Sequence, residues 1–197
     1  MSTEVEIFEK VVMQRRSVFQ KDYLPERIED EVVAKMLVMA DRAPTHKRTE
    51  PWRFVVFTGQ GITKLAKFQS ELYKKVATAD GSFREDRYLN LLNKPAESSH
   101  IISVGMKRDA AHSIPEWEEL GAVFCAVENL YLAATAFGLG GYLSTGGITN
   151  FAEAKEFFGL GPEDRLCGFF HLGKIKTIET PLSKRKPMEE KVSWVKD

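Results

Sequence analysis

The feature that most constrains this chain is the apolar run from Pro115 to Phe137, continuing through Gly138 to Gly141. Pro115 suits the first turn of a helix, and the residues behind it are Ala-rich and apolar all round. A helix with no polar face has to be covered by the rest of the fold. Glu128 and Asn129 interrupt the stretch Leu120 to Gly141, so it reads as a buried core helix and not as a membrane span. The chain has 197 residues, 43% of them hydrophobic, which is enough for one domain and a sizeable core.

Around that helix the patterns alternate. Val5, Phe8 and Val12 recur at helical spacing and predict a short helix over residues 3 to 15. Ile28, Val32, Met36 and Met39 line a second, opened by Glu29-Asp30-Glu31 and stopped by Pro44. A third carries Ile62, Leu65, Phe68, Leu72 and Val76 on one face, and a further helix runs from Phe151 to Phe158. Strands are expected at Phe54–Phe57, Ile101–Val104 and Cys167–Gly173, with a fourth at Val192–Val195. Gly138 to Gly141 end the long helix, and Tyr142 to Gly147 read as a loop. Residues 78 to 98 read as an irregular segment with a turn of helix, of the length that covers a site. Helices and strands interleave without strict βαβ alternation, so the class is α+β. Residues 1–176 form the domain. Residues 177–197 form an extension, Pro-punctuated at Pro181 and Pro187 and basic at Lys184-Arg185-Lys186, with little to pack on locally. Such a tail reaches another surface, as in a partner subunit, while the bland reading of its basic run is a solvated linker.

Charge narrows the function classes. The 28 basic and 28 acidic residues cancel, which argues against a general nucleic-acid binder. Cys125 and Cys167 have neither disulfide-scaffold nor zinc-ligand spacing and read as small buried hydrophobes, so no metal is expected. Met1 to Glu9 has three acidic residues and no apolar core of a signal peptide, which points to the cytoplasm.

The chemistry-bearing stretch is Gln14-Arg15-Arg16-Ser17. Two guanidiniums and a hydroxyl make a dense anion-binding group. A second concentration of cations, Arg42-Ala43-Pro44-Thr45-His46-Lys47-Arg48, leads into Glu50-Pro51-Trp52-Arg53-Phe54. Together they read as two parts of one site for an anionic cofactor. A solvated C-terminal turn complementing the helix dipole is the alternative for Arg15 and Arg16. Other motifs fail. Gly138-Leu139-Gly140-Gly141-Tyr142-Leu143 lacks the third glycine of a dinucleotide fingerprint and follows a helix, and Gly147 stands where a P-loop needs lysine. His46, His100, His112 and His171 are scattered, and no hydrolase triad has sequence support.

Arg15-Arg16-Ser17, the loop Ala43-Pro44-Thr45-His46-Lys47 ending in Pro51-Trp52, and the segment Ala133 to Gly146 occur in an order and spacing that resembles the nitroreductase family of flavin enzymes. The similarity is greatest to small bacterial NAD(P)H nitroreductases whose loop reads A-P-x-H-K-x-x-x-P-W, and it covers nearly the whole chain. The resemblance implies a nitroreductase-like α+β fold: a mostly antiparallel central sheet flanked by helices, in a homodimer with exchanged C-terminal tails. It implies FMN at the interface and NADH or NADPH as donor. Arg15, Arg16 and Ser17 would hold the flavin phosphate and ribityl chain, and Leu143, Ser144 and Thr145 would close the phosphate end. Arg42 and His46 would come from the other subunit. Ala133, Ala134, Thr135, Ala136, Phe137 and Gly138 match a segment assigned to the nicotinamide nucleotide. The flavin carries the hydride chemistry, so no catalytic side chain is expected. The reaction would run in two halves, with nitroaromatics, quinones or related small molecules as acceptors. Dehalogenation, enoyl reduction or flavin breakdown is the same-family alternative, and a flavin-binding module without turnover the other. Phe19 and Ser144 stand where relatives often carry a cation, and Glu50 replaces the usual Gln.

Overall fold

The computed structural model describes residues 3–176 and 185–196. Four antiparallel strands form one sheet in the order β1-β2-β4-β3, with β1 Trp52–Thr58, β2 His100–Met106, β3 Leu139–Ser144 and β4 Arg165–Lys174. The α-helices are α1 Thr3–Gln14, α2 Asp30–Ala40, α3 Gln60–Ala79, α4 Glu85–Asn93 and α5 Glu116–Ala136. The fold is thus mixed helix and antiparallel sheet, as the sequence predicts.

Side-chain alternation along β2 and β4 builds two cores. Ile102, Val104, Phe170 and Leu172 face α2 and α5, whose Met36, Val123, Ala126 and Leu130 complete that layer. Ile101, Leu166 and Phe169 face α3 on the other side, against Leu65, Leu72 and Tyr73. Met36, Leu130 and Phe170 have no accessible surface, and burying such side chains contributes about 1.5–3 kcal/mol each. The central helix α5 opens with Glu116, Glu118 and Glu119, a charge bias that complements its dipole. Gly138 (φ 69°) closes it, since the left-handed conformation there suits glycine. His100, only 1% exposed, ties β2 to the start of α2. Its Nε2 lies 2.8 Å from Asp30 Oδ1 and its Nδ1 3.0 Å from Ser99 Oγ.

Several expectations need correction. The helix-ending glycines and the start of the expected Tyr142–Gly147 loop form instead the edge strand β3, Leu139–Ser144, whose two glycines hide the strand pattern. Residues 78 to 98 are mostly helical: α4 packs on α3 through Tyr88 Oη to Glu71 (2.7 Å) and Arg84 N to Tyr73 Oη (3.0 Å), followed by a 3₁₀ turn at Lys94–Glu97. The helix expected at Phe151 to Phe158 is present as a 3₁₀ helix over Ala152–Phe158. Val192–Val195 is not a strand in the single chain, where Trp194 is 82% exposed and no neighbouring strand pairs with it among the described residues. Cys125 is exposed on α5 and Cys167 half-buried, its thiol pushed up to about 11 mainly by burial. Thr177 to Lys184, with Pro181, lie outside the described residues.

α1 differs from the other helices. Its apolar residues Val5, Ile7, Phe8, Val12 and Met13 are all exposed, and no residue of the helix is buried. The amphipathic pattern is present, but among the described residues of one chain nothing covers its apolar face.

Candidate functional site

Immediately after α1 the chain passes alongside β3. Ser17 bridges Gly141 in parallel fashion, and Val18 N donates to Gly141 O at 2.9 Å. This approach requires glycine on the strand: a Cβ at Gly141 would lie 2.7 Å from the Phe170 ring, and one at Gly140 2.7 Å from Ile175. Tyr131 of α5 joins the two segments. Leu143 N donates to its hydroxyl at 2.8 Å, and Ser17 Oγ lies 3.3 Å from the same oxygen. The Arg15 guanidinium sits 5.3 Å above the Tyr131 ring and reaches Glu128 at 3.7 Å. Arg16 donates from Nε to Gln14 O at 3.3 Å.

Two clefts flank this junction. One, of about 220 Å³, sets Arg16 beside Thr135, Gly138, Leu139 and Ile175. The start of the chain thereby meets the end of α5 and of β4. The other, of about 210 Å³, lies under α4 and is lined by Gln20, Arg87, Asn90, Lys94, Ser144 and His171 among others. Among the described residues no carboxylate lines either cleft. His171 is pushed down to about 4 by burial and by the neighbouring Lys94 ammonium, so it is neutral at pH 7. Its Nδ1 lies 3.1 Å from Ser98 Oγ. Arg87 and Lys94 therefore give the second cleft a positive potential. Gln20 is 4% exposed, and its Oε1 has no hydrogen-bond partner among the described residues. A buried amide without a partner marks a place where a polar ligand or water completes the structure. Phe19, at the position where relatives often carry a cation, packs on Tyr142 with ring centroids 4.6 Å apart.

The second cationic stretch is built differently. Arg42 pairs with Asp41 at 3.2 Å and lines an apolar groove of about 500 Å³ with Ile7, Phe8, Met39 and Leu132. His46 Nδ1 lies 2.5 Å from Glu118 Oε2, and Lys47 Nζ donates to Ser113 O at 2.9 Å. Lys47, Arg48 and Glu50 all have positive φ (50°, 56° and 42°), a cost that persists where surrounding contacts fix the loop. Trp52 is core, 7% exposed, with Nε1 donating to Asp41 at 3.1 Å.

Leu143 and Ser144 end β3 and Thr145 follows it, but the three face different surroundings. Leu143 N meets Tyr131, Ser144 lines the Lys94 cleft, and Thr145 lines a separate groove of about 950 Å³ with Phe124 and Cys167. Of the segment Ala133–Gly138, Ala133 and Ala134 are buried in the core, while Thr135 and Gly138 line the Arg16 cleft and Phe137 is 38% exposed. Ala136 opens onto the apolar groove beside Arg42. The structure thus joins Ser17 to Leu143 through the Tyr131 hydroxyl and Arg16 to Thr135 and Gly138 through one cleft. Arg42 and His46 bind Asp41 and Glu118 instead. Tyr131, Lys94 and Gln20 are additions that the sequence pattern alone did not single out. What this assembly offers chemically is binding of an anionic, polar molecule along β3.

Residues 12–174 match the family model described as the nitroreductase family. The Escherichia coli (strain K12) protein named "Putative NAD(P)H nitroreductase YdjA" is 35% identical over 133 residues, 67% of this chain and 69% of that protein. A nitroreductase-like family protein from Bacillus cereus superposes with a TM-score of 0.79 at 25% identity, covering 96% of both chains. The FMN-dependent nitroreductase NfnB from Mycobacterium smegmatis, solved in complex with NADPH, shares the fold with a TM-score of 0.72 at 16% identity, over 98% of this chain and 100% of the other. Sequence order, strand topology and these matches agree: the chain belongs to the nitroreductase family.

Proposed function

We propose that this chain is an FMN-dependent oxidoreductase that takes electrons from NADH or NADPH and passes them to nitroaromatic, quinone or related small acceptors, working as a cytoplasmic homodimer. The observation that carries the reading is the positively charged cleft beside β3, lined by Gln20, Arg87, Lys94 and Ser144 and by no carboxylate among the described residues, with Arg15-Arg16-Ser17 alongside the same strand. That chemistry fits FMN, which presents a phosphate, a hydroxylated chain and a ring edge with both donors and acceptors. The names of relatives, an NAD(P)H nitroreductase and an FMN-dependent nitroreductase solved with NADPH, support the same group.

In this reading Arg15, Arg16 and Ser17 hold the phosphate and ribityl chain, since guanidiniums take phosphate oxygens in pairs. Ser144, with Leu143 and Thr145 beside it, borders the flavin from β3. Lys94, in the same cleft as Ser144, supplies a cation for the negative charge that develops on a reduced flavin. Gln20, which lines the same cleft, would offer its amide to a polar edge of the bound group. Arg42 and His46 complete the site of a second copy, and the nicotinamide nucleotide is met at the surface of the Ala133–Gly138 segment. FMN, when bound, supplies the hydride chemistry in two half-reactions. The protein's part is to bind, orient and exclude water.

The homodimer is supported by the exposed apolar face of α1. Residues 1–176 are then the flavin-binding domain, and 177–197 wrap the second copy, where Trp194 and Val195 (82% and 99% exposed) find cover. An absorption spectrum of the purified protein tests the reading. A band near ~450 nm that bleaches on anaerobic addition of NADH or NADPH is the expected result. A protein that stays colourless when mixed with FMN overturns it.

A further inference from the structure

We infer that Tyr131 is a positioning residue of the anion site: its phenol proton goes to Ser17 Oγ, which turns the serine's own proton outward onto the phosphate of the ligand. The identity of that ligand as FMN rests on the reading above.

A phenol hydroxyl carries one proton to donate and lone pairs to accept. Leu143 N donates to the Tyr131 oxygen at 2.8 Å, so that oxygen is already an acceptor. Its own proton needs a different oxygen. Ser17 Oγ, 114 residues away in sequence and 3.3 Å away in space, is the acceptor in reach among the described residues. Once Ser17 Oγ has accepted, its own O–H is free to rotate away from Tyr131. Ser17 is exposed, so the proton faces the side from which a ligand arrives.

The ring is held as firmly as the hydroxyl. Phe170, fully buried, meets Tyr131 edge-on with centroids 4.7 Å apart and planes at 81°. The opposite use of the ring is electrostatic: Arg15 lies 5.3 Å from its centroid, within cation–π range. Glu128 approaches Arg15 at Nε, which leaves the two terminal nitrogens for an anion. One side chain of α5 therefore sets an arginine through its face, a serine through its proton and a strand end through its oxygen. The pairing of Ser17 with β3 by Val18 N to Gly141 O at 2.9 Å keeps the 3.3 Å contact in register.

Tyr131→Phe isolates the proton, because it keeps the ring under Arg15 and against Phe170. Apoprotein is titrated with FMN and with riboflavin, which lacks the phosphate, following flavin fluorescence. FMN affinity is expected to fall about tenfold with riboflavin affinity within about twofold of the parent. Ser17→Ala is expected to give the same pattern, and Tyr131→Phe added to Ser17→Ala to cost less than about twofold more. The inference is overturned if Tyr131→Phe binds FMN like the parent, if FMN and riboflavin weaken equally, or if the two losses multiply. Should Tyr131→Phe not fold, Ser17→Ala at its exposed position carries the test: unchanged FMN binding overturns the inference, and selective loss of FMN supports it. A parent protein that takes up neither FMN nor riboflavin is a different result, because it removes the flavin reading itself.

Discussion

His46 and Glu118, 72 residues apart in sequence, meet at 2.5 Å, and their contact fastens the strained loop Thr45–Glu50 to the first turn of α5. Lys47 makes a second fastening to Ser113 O, and Asp109 in turn takes both the N–H and the hydroxyl of Ser113. Positive φ at Lys47, Arg48 and Glu50 is tolerated because the loop is held at both points.

Glu118→Ala is expected to change global stability little, by about 1 kcal/mol or less, since both partners are partly exposed. Its effect should be local. The amide of Glu50, now bonded to Thr45 Oγ1 at 3.2 Å, should exchange with solvent faster by roughly tenfold, while amides of β2 and β4 keep their rates. Unchanged exchange at Glu50 would show that the loop does not depend on this anchor.

His171 gives the fold an acid sensitivity with a definite sign. Burial and Lys94 hold its folded value at about 4, below the ordinary histidine range. The unfolded chain therefore binds the proton first as pH falls. The neutral-histidine contribution is fully present above about pH 6.5 and is lost progressively down to about pH 4, by at most about 3 kcal/mol. Urea titrations at a series of pH values should show this loss in the parent and a flatter curve for His171→Asn. Parallel curves over that window would contradict the assignment.

How much of this could be read from sequence follows from how local the cause was. α5 and the strands β1, β2 and β4 were legible because each is a continuous apolar run whose neighbours are polar or breaking residues. β3 was not, because Gly140 and Gly141 erase its strand pattern; those glycines are there so that Val18, Tyr23 and Phe170 can come close. α4 was missed for a related reason. It spans only nine residues and buries none of them completely, so its amphipathic pattern is short and leans on α3 through two tyrosines. The Arg15-Arg16-Ser17 group announced itself by composition. Tyr131, Lys94 and Gln20 carry no local motif, and only the approach of distant segments to β3 brings Gln20 and Lys94 into one cleft and Tyr131 against Ser17 and Leu143. Cys125 was misjudged because a helix apolar all round still presents one side outward in the single chain.

The same close approach makes Gly141 a sensitive position. Gly141→Ala puts a Cβ 2.7 Å from the Phe170 ring, in a core with no room to give. It should destabilise the protein by about 1–3 kcal/mol in equilibrium unfolding. Gly121 on α5 has no atom within 4 Å of an added Cβ. Gly121→Ala should leave stability unchanged or raise it by about 0.5–1 kcal/mol. Equal effects at the two positions would refute the packing argument.

Lys94 separates binding from folding. Its side chain is exposed and carries no described hydrogen bond, so Lys94→Ala should unfold at the parent's denaturant midpoint. On the flavin reading it should weaken FMN binding by about tenfold. It should also move the His171 titration upward, because the ammonium is one of the two influences holding that value down. The two readouts are independent. An upward shift without loss of FMN affinity would keep the electrostatics and remove Lys94 from the cofactor site.

α1 supplies the last test. A helix with Val5, Ile7, Phe8, Val12 and Met13 between 42% and 61% exposed gains little from its own chain. Apolar side chains at that spacing are stabilised only when a second surface covers them. The groove between α1, α2 and α5, about 500 Å³ and lined by Ile7, Phe8, Met39 and Leu132, is the surface that a second copy would close. Sedimentation velocity on the parent should report a dimer at micromolar concentration, and Phe8→Asp should shift it to monomer with the far-ultraviolet circular dichroism retained outside α1. If Phe8 faced solvent in the working protein, the aspartate would improve solubility and leave the sedimentation coefficient alone. A parent that sediments as a monomer would remove the homodimer, and with it the delivery of Arg42 and His46 to a neighbouring site.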